Sequence, residues 1–392
     1  MFNGHLNPLR RPLIDQTRQN VVEQMIKLGA SADALHNELG FVLANDLFHA
    51  LSPVSPSLDA PKWGFLAYLL GKDAVHRPSP QHLSKAHAMI AIDTHQHFWR
   101  YDPTHLPWID ATMAKLKGDR LPEHVLAPMT KCGVSAALAV QAQSRPEETD
   151  ALLAFAAEAP QICGVVGWTD LSSPHLAAAL EAWSGNRKLK GFRHILQDER
   201  DVAALTGSTA FNAGLRLLQS KKLTYDVLVF ERQLPEALAL CARHDQHWLV
   251  LDHLGKPTLN VTHTLKTSEL SAWLKHIKAL AKLPHVVCKL SGLVTETDWQ
   301  NTPMNQTKQE NMRRCFDEAL EAFGPDRIMF GSDWPVCTLA APYTDVATFA
   351  QTWASAQLSP SEQRRFWSGT AERTYDLGLK QLKESIDGSA TS

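Results

Sequence analysis

The sequence carries little net charge of either sign. Among its 392 residues, 39 Lys and Arg stand against 41 Asp and Glu, which gives a formal net charge of −2. Without a positive field the chain has no electrostatic means of holding a nucleic acid or an anionic membrane surface. The charge balance therefore excludes electrostatically driven DNA binding and predicts no nucleic-acid partner.

Paired cysteines are also missing. The six cysteines are scattered and none belongs to a C-x-x-C pair. This spacing argues against a structural zinc site and against a disulfide framework. We therefore expect a reducing, cytoplasmic location.

Long hydrophobic runs are absent as well. Arg10 and Arg11 are not followed by an apolar segment, and the longest apolar stretch near the N-terminus covers only residues 65–70. A helix needs about 20 apolar residues to span a bilayer. The sequence therefore predicts neither export nor insertion into a membrane, while 44% hydrophobic and 20% charged residues are typical of a packed globular protein.

The chain divides near residue 88. Apolar residues recur at helical spacing in two stretches, 21–29 and 31–47, and predict two helices before a Ser/Pro-rich segment and a linker. Nothing there indicates chemistry. The predicted parts are a helical N-terminal extension with its linker at 1–88, one large domain at 89–380 and a polar tail at 381–392.

The large domain has a regular pattern. Eight short, apolar, β-branched runs alternate with helix-like stretches at spacings of 25 to 42 residues. Each connection is long enough to be a parallel crossover, so the pattern predicts a (β/α)8 TIM barrel. A doubly wound open sheet is the rival fold, but no Gly-rich phosphate loop follows the first run. The runs begin near Ile92, Val134, Ile162, Leu189, Leu223, Trp248, Val286 and Ile328.

Reactive residues collect at the ends of the predicted strands, where barrel enzymes carry their active sites. His95 and His97 end the first run, and their spacing points both imidazoles toward the barrel mouth. Such a pair binds a metal or donates hydrogen bonds to a developing oxyanion. Asp333 ends the eighth run and is either the base that takes a proton from water or a metal ligand.

Three other strand ends add candidates. Arg193 and His194 end the fourth run, and we expect both near the site, with the guanidinium of Arg193 holding a hydroxyl or carboxylate of the substrate. Asp252 and His253 end the sixth, with His253 as the favoured chemical member and Asp252 as a buried anchor. The remaining candidates are Asp226 on the fifth run, Lys289 on the seventh as a substrate contact or a structural ion pair, and Trp334 as the favoured sugar-stacking residue among Trp99, Trp108, Trp168 and Trp334.

Seven motifs in order resemble the amidohydrolase superfamily of metal-dependent-hydrolase barrels, and within it the sugar lactonase branch, the L-fuconolactonases. The resemblance runs from Ile92 to Leu377, and residues 1–88 have no counterpart in it. Because Met89 directly precedes the first strand, that segment is either a fused helical module or an upstream extension with Met89 as an alternative start. The motifs are IDTHQHFW from Ile92, LPWID from Leu106, VQA from Val140, GVVGW from Gly164, KGFRH from Lys190, LDHLGKP from Leu251 and FGSDWPVC from Phe330.

The resemblance implies hydrolysis of a sugar lactone to the open sugar acid. Asp333 would then take a proton from the attacking water, Arg193 and His194 would orient the ring hydroxyls, and Trp334 would stack on the ring. The imidazoles of His95, His97 and His253 would polarise the lactone carbonyl and hold the oxyanion.

A two-metal site is not expected, since no lysine ends the fourth run and no histidine the fifth. One zinc-like ion on His95, His97 and Asp333 and a metal-independent reaction both remain open.

Two alternatives to the sugar lactonase stay open. One is a barrel acting on a pyrone or another aromatic-derived lactone, or a related metal-dependent decarboxylase. A dicarboxylate substrate would call for several arginines, and only Arg193 is well placed. The other is an inactive barrel serving as a binding scaffold, which gives no reason to keep His95, His97, His253 and Asp333 together. The sequence leaves the oligomeric state and the sugar configuration open.

Overall fold

The structure, a computed structural model, describes residues 90–379. The helices and linker expected in 1–88, the start at Met89 and the tail at 381–392 lie outside the described residues.

Eight parallel strands form one sheet in the order β1 to β8, each strand pairing with the next along the chain. This confirms the predicted (β/α)8 barrel, and each strand begins within two residues of its predicted start. The strands are β1 (Ile92–Gln96), β2 (Ala136–Val140), β3 (Ile162–Gly167), β4 (Leu189–His194), β5 (Thr224–Val227), β6 (Leu249–Leu251), β7 (Val286–Leu290) and β8 (Ile328–Phe330).

Helices fill the connections and pack on the outside of the sheet, as parallel crossovers require. They are α1 (Glu123–Lys131), α2 (Glu148–Glu158), α3 (Leu176–Ala182), α4 (Val202–Gly207), α5 (Thr209–Ser220), α6 (Leu234–Arg243), α7 (Ser271–Ala281), α8 (Gln306–Phe323), α9 (Tyr343–Gln357), α10 (Pro360–Arg364) and α11 (Thr370–Tyr375). None of the helices within 90–379 combines the length and apolar character needed to cross a bilayer.

The first and last strands meet and bring the two edges of the sheet together. The Thr94 hydroxyl donates to the carbonyl of Phe330 at 2.6 Å. Beyond the strand ends, the Asp333 amide donates to the His95 carbonyl at 2.9 Å and the His97 amide to the Trp334 carbonyl at 2.7 Å. This junction places His95 of β1 and His97, which follows the strand, beside the aspartate that follows β8.

Inward-facing side chains fill the barrel in layers, because alternate residues of a strand share a face. Val250 and Val287 belong to an apolar cluster that α11 covers at the N-terminal end of the barrel. Two residues further along the chain, Asp252 and Lys289 are fully buried. The barrel interior thus changes from apolar to charged toward its C-terminal ends, where the histidines lie.

Candidate active site

Asp333 is the centre of the candidate site. It follows β8 in a left-handed backbone conformation, φ 61°, and is 5% exposed. Its Oδ1 atom lies 3.2 Å from Nε2 of His97 and 3.9 Å from Nε2 of both His95 and His253. Oδ1 is the carboxylate oxygen nearest to each of the three imidazoles, so Oδ2 is the oxygen less engaged with them.

The backbone fixes the tautomer of His97. Its Nδ1 atom lies 2.8 Å from the carbonyl oxygen of Val140, which can only accept, so Nδ1 carries a hydrogen. In the neutral ring Nε2 then carries a lone pair, and this nitrogen lies 3.2 Å from Oδ1 of Asp333. Two acceptors at this distance require a proton or a cation between them.

His95 is held from both sides of its ring. Nη1 of Arg193 donates to Nε2 at 3.1 Å, and Nδ1 lies 3.4 Å from the carboxylate of Asp252. Because Arg193 can only donate, Nε2 is an acceptor and the hydrogen of the neutral ring is on Nδ1, which faces Asp252 and lies 3.3 Å from Nζ of Lys289. The Nε2 lone pair therefore faces Arg193.

His253 enters the site because β6 ends at Leu251. Its backbone is left-handed, φ 53°. Asp252 and His253 therefore do not follow the alternation of a strand, in which neighbouring side chains point to opposite faces. Nδ1 of His253 lies 2.8 Å from the Ser291 hydroxyl, and a Cβ atom on Gly292 would come within 2.5 Å of the same nitrogen. The Ser-Gly pair after β7 thus makes room for this imidazole.

Burial sets the charge states of these groups. It lowers the pKa of His95 and of His253 well below the ordinary value of histidine, so both rings are neutral near pH 7. Burial alone would raise the pKa of Asp333, but the adjacent His253 and His97 together lower it below its ordinary value. The site therefore presents a carboxylate among imidazoles.

The cluster suited to a metal differs from the predicted one. Ligand atoms of His95, His253 and Asp333 lie within 4.8 Å of one another, whereas the sequence predicted His97 in place of His253. The ring of His95 is 4.3 Å from that of His253 and 4.9 Å from that of His97. Two imidazoles and a carboxylate fit one zinc-like ion with an open position.

These groups open into a cavity of about 370 Å³, a volume typical of a small-molecule site. His97, His253 and Asp333 form part of its lining, as does Arg193. The other lining residues include two indoles and a lysine–glutamate pair, contributed by loops that follow the strands. They are Trp108, Trp299, Lys256 and Glu296.

The lysine–glutamate pair adds charge to this cavity. Nζ of Lys256 lies 3.5 Å from Oε1 of Glu296. Burial raises the pKa of Glu296, against the opposing effect of Lys256. The sequence pattern gave no signal for Glu296 or for Trp299, since both lie in the irregular connection after β7.

Arg193 is largely committed to the protein. Nε donates to the Gln141 side chain at 3.0 Å, Nη2 donates to the Gln141 carbonyl, and Nη1 donates to Asp252 at 3.0 Å and to His95. Arginine has five N–H donors. Four of these N–H groups donate to described residues, which leaves one N–H on Nη2 for a substrate oxygen. The sequence predicted that the whole guanidinium group would hold the substrate.

Below the imidazoles lies a buried network of charges. Lys289 bonds to Asp226 and lies 3.2 Å from Asp252, which also pairs with Arg193. All four side chains are at most 3% exposed. Burial would raise the pKa of Asp252, but Lys289 and His95 hold it well below its ordinary value. Lys289 thus forms a structural ion pair, and Asp252 is anchored by the side chains of Lys289 and Arg193.

Two predicted substrate contacts are not among the residues that line this cavity, although His194 lines an adjacent cavity that shares Trp108 and Ile195 with it. His194 faces outward because it alternates with the inward Arg193, and its Nε2 lies 2.6 Å from Glu199. Trp334 is 6% exposed and packs against Phe98 with ring centroids 5.7 Å apart. Substrate contact by His194 and Trp334 stays a prediction, and among the predicted indoles Trp108 lines the cavity.

Asp93 is a positioning residue that the sequence did not single out. Fully buried, it accepts the Ser332 amide at 2.8 Å, the His95 amide at 3.2 Å and the Gln96 side chain at 2.7 Å. It ties the end of β1 to the loop that carries Asp333. Its place two residues before His95 was the available signal.

Eight parallel strands with histidines and an aspartate at their C-terminal ends define a barrel of the hydrolase type. Residues 92–377 match the model of the amidohydrolase family. An L-fucono-1,5-lactonase of Burkholderia multivorans is 50% identical over 288 residues, which cover 74% of this chain and 96% of that protein. The chain belongs to the amidohydrolase family.

Two further relatives agree with this placement. An L-fucono-1,5-lactonase of Burkholderia ambifaria is 30% identical over 289 residues, covering 73% of this chain and 95% of that protein. A crystal structure of a Burkholderia multivorans amidohydrolase with bound zinc is 49% identical, with a TM-score of 0.70 over 73% of this chain and 99% of that one.

Proposed function

We propose that the protein is a sugar lactonase that hydrolyses an aldonolactone such as L-fuconolactone to the open sugar acid. The observation that carries this proposal is the Asp333 carboxylate at the base of the cavity, within 3.9 Å of three imidazoles. The two relatives named L-fucono-1,5-lactonase support the choice of substrate class.

In this mechanism Oδ2 of Asp333 takes a proton as water attacks the lactone carbonyl carbon. The carbonyl oxygen becomes an oxyanion, and the free N–H of Arg193 stabilises it. His253 adds a second donor when the Ser291 hydroxyl donates to its Nδ1, because its hydrogen is then on Nε2. The bond from the carbonyl carbon to the ring oxygen then breaks, and Asp333 returns its proton to that oxygen.

A divalent ion is compatible with the same residues. His95, His253 and Asp333 would hold it, and it would supply a Lewis acid that polarises the carbonyl and acidifies water. In that state Ser291 accepts a hydrogen from Nδ1 of His253, which frees Nε2 as a ligand.

The cavity favours a neutral polyol lactone over a dicarboxylate. The cationic residues among the described lining are Arg193 and Lys256, and each is already paired with a protein carboxylate. A pyrone dicarboxylate or a decarboxylase substrate would need more unpaired cations. The scaffold alternative leaves the arrangement around Asp333 without a purpose.

The decisive experiment measures acid release from L-fuconolactone by the wild type and by Asp333→Asn, each with and without a chelator. We expect Asp333→Asn to lower kcat by about 100-fold or more, since the general base is lost. Loss of wild-type activity with chelator, restored by zinc, would show that the reaction needs a metal, for which His95, His253 and Asp333 are the candidate ligands. Absence of wild-type turnover on several aldonolactones would overturn the proposal.

We further propose a reducing, cytoplasmic location. All six cysteines are free, and five of them are buried. Fractionation of the native host would test this.

A further inference from the structure

Three successive backbone carbonyls, that of Val140 at the end of β2 and the two that follow it, each accept a hydrogen bond from a side chain of the cavity. The Val140 carbonyl accepts from Nδ1 of His97 at 2.8 Å. The Gln141 carbonyl accepts from Nη2 of Arg193, and the Ala142 carbonyl accepts from Nε1 of Trp108 at 3.0 Å. One short segment therefore orients an imidazole, a guanidinium and an indole that line the same cavity.

This segment is itself held by a buried carboxylate. Oε1 of Glu148 accepts the Ala142 amide at 2.7 Å and the Gln143 amide at 3.2 Å. Glu148 is the first residue of α2 and is 2% exposed, so its side chain is fixed by the helix and by packing. Burial raises the pKa of Glu148 to about 7, against the opposing effect of these two amides.

We propose that Glu148 is a positioning residue for the active site. Its carboxylate holds the loop that continues directly from β2, and the carbonyls of the last strand residue and of the first two loop residues orient the three cavity side chains. The role is indirect, because Glu148 does not line the cavity. The inference rests on the proposed lactonase function for its kinetic readout.

The effect on His97 is the sharpest consequence. The Val140 carbonyl keeps the hydrogen of this ring on Nδ1, and that choice directs the Nε2 lone pair toward Asp333. If the loop shifts, Nδ1 loses its acceptor and the hydrogen is free to move to Nε2. The neutral imidazole would then present a donor, and no longer a lone pair, to Asp333.

Three substitutions at Glu148 separate the acceptor from the charge. Glu148→Gln keeps an oxygen acceptor at the same reach and removes the charge. Glu148→Asp keeps the charge and withdraws the acceptor by one methylene. Glu148→Ala removes both. The matched control is Glu147→Gln, since Glu147 is the exposed neighbour and pairs with Arg145.

The measurement is kcat and KM for L-fuconolactone, together with Tm and the folded fraction. We expect Glu148→Ala and Glu148→Asp to lower kcat by about 10- to 100-fold, since a displacement near 1 Å costs this much. Glu148→Gln and Glu147→Gln should stay within about threefold of the wild type. A kcat per folded molecule that is unchanged in all variants would reduce Glu148 to a stability role, and rescue by Asp but not by Gln would make the charge responsible.

A second readout does not depend on turnover. In protein labelled with 15N-histidine, His97 should give a signal with hydrogen on Nδ1, assigned by its loss in His97→Gln. We expect Glu148→Ala to abolish or move this signal and Glu148→Gln to keep it. An unchanged signal in Glu148→Ala would overturn the positioning role even if the wild type is a lactonase. If the wild type has no lactonase activity, this measurement still decides the role of Glu148.

Discussion

The charged residues in the barrel interior illustrate how single positions determine the site. Arg193 and Lys289 are buried with Asp226 and Asp252, so the network holds two positive and two negative side chains. An ion pair removed from water is stabilised only when every member keeps its partners. The same carboxylate that neutralises Lys289 also orients His95, which couples the stability of the network to the geometry of the site.

Replacing Lys289 by methionine should show that the stability of the fold depends on the complete charge network. The change leaves two buried carboxylates with Arg193 as their cation, so we expect the free energy of unfolding to fall by about 3–5 kcal/mol. Urea denaturation at neutral pH measures it.

The control for this change is Lys278→Met, because Lys278 pairs with Glu321 at the surface, where both side chains are at least 45% exposed. There the loss should be below about 1 kcal/mol. Equal effects at the two lysines would show that the interior network does not hold these charges as described.

At the scale of secondary-structure elements, the periodic pattern of the sequence predicted the strands and the residues at their carboxyl ends. It did not predict the paths of the loops that follow the strands. The strand pattern placed His95, His97 and Asp333 at one end of the barrel, because parallel strands share their carboxyl edge. The strand pattern did not determine the directions of His194 and Trp334, which depend on where a strand stops and how its loop packs. Trp299 and Glu296 come from irregular loops, whose paths follow from tertiary contacts and leave no periodic trace.

The last helix contributes a side chain to the barrel interior, and the strand pattern did not predict this contact. The hydroxyl of Tyr375 in α11 donates to both oxygens of Asp226, at 3.1 and 3.0 Å, from the N-terminal end of the barrel. We expect Tyr375→Phe to lower the free energy of unfolding by about 1–3 kcal/mol, since the buried carboxylate loses a donor.

A double-mutant cycle with Asp226→Asn, followed by urea denaturation, tests whether the two residues act together. If Tyr375 acts through Asp226, the two losses will not add. Additive losses would mean that α11 stabilises the barrel by packing alone.

At the scale of the whole molecule, the match to the amidohydrolase family covers only part of the chain. The family match spans residues 92–377, and the lactonase of Burkholderia multivorans is covered over 96% of its own length by 74% of this chain. Each strand, each histidine of the site and Asp333 fall inside that span. The contacts that build the cavity therefore involve residues that a chain beginning at Met89 would retain.

This leads to a prediction about the boundary near residue 88, which we propose as the start of the catalytic domain. A chain beginning at Met89 should fold and hydrolyse L-fuconolactone with a kcat/KM within about twofold of the full-length protein, because a domain with its own core can fold alone. The measurement compares both chains for kcat/KM, Tm and elution volume. A chain beginning at Ala139 is a negative control, since it lacks β1 with its histidines. Loss of turnover in the Met89 chain with an unchanged Tm would instead assign residues 1–88 a part in the site, and a large fall in Tm would move the domain boundary toward the N-terminus.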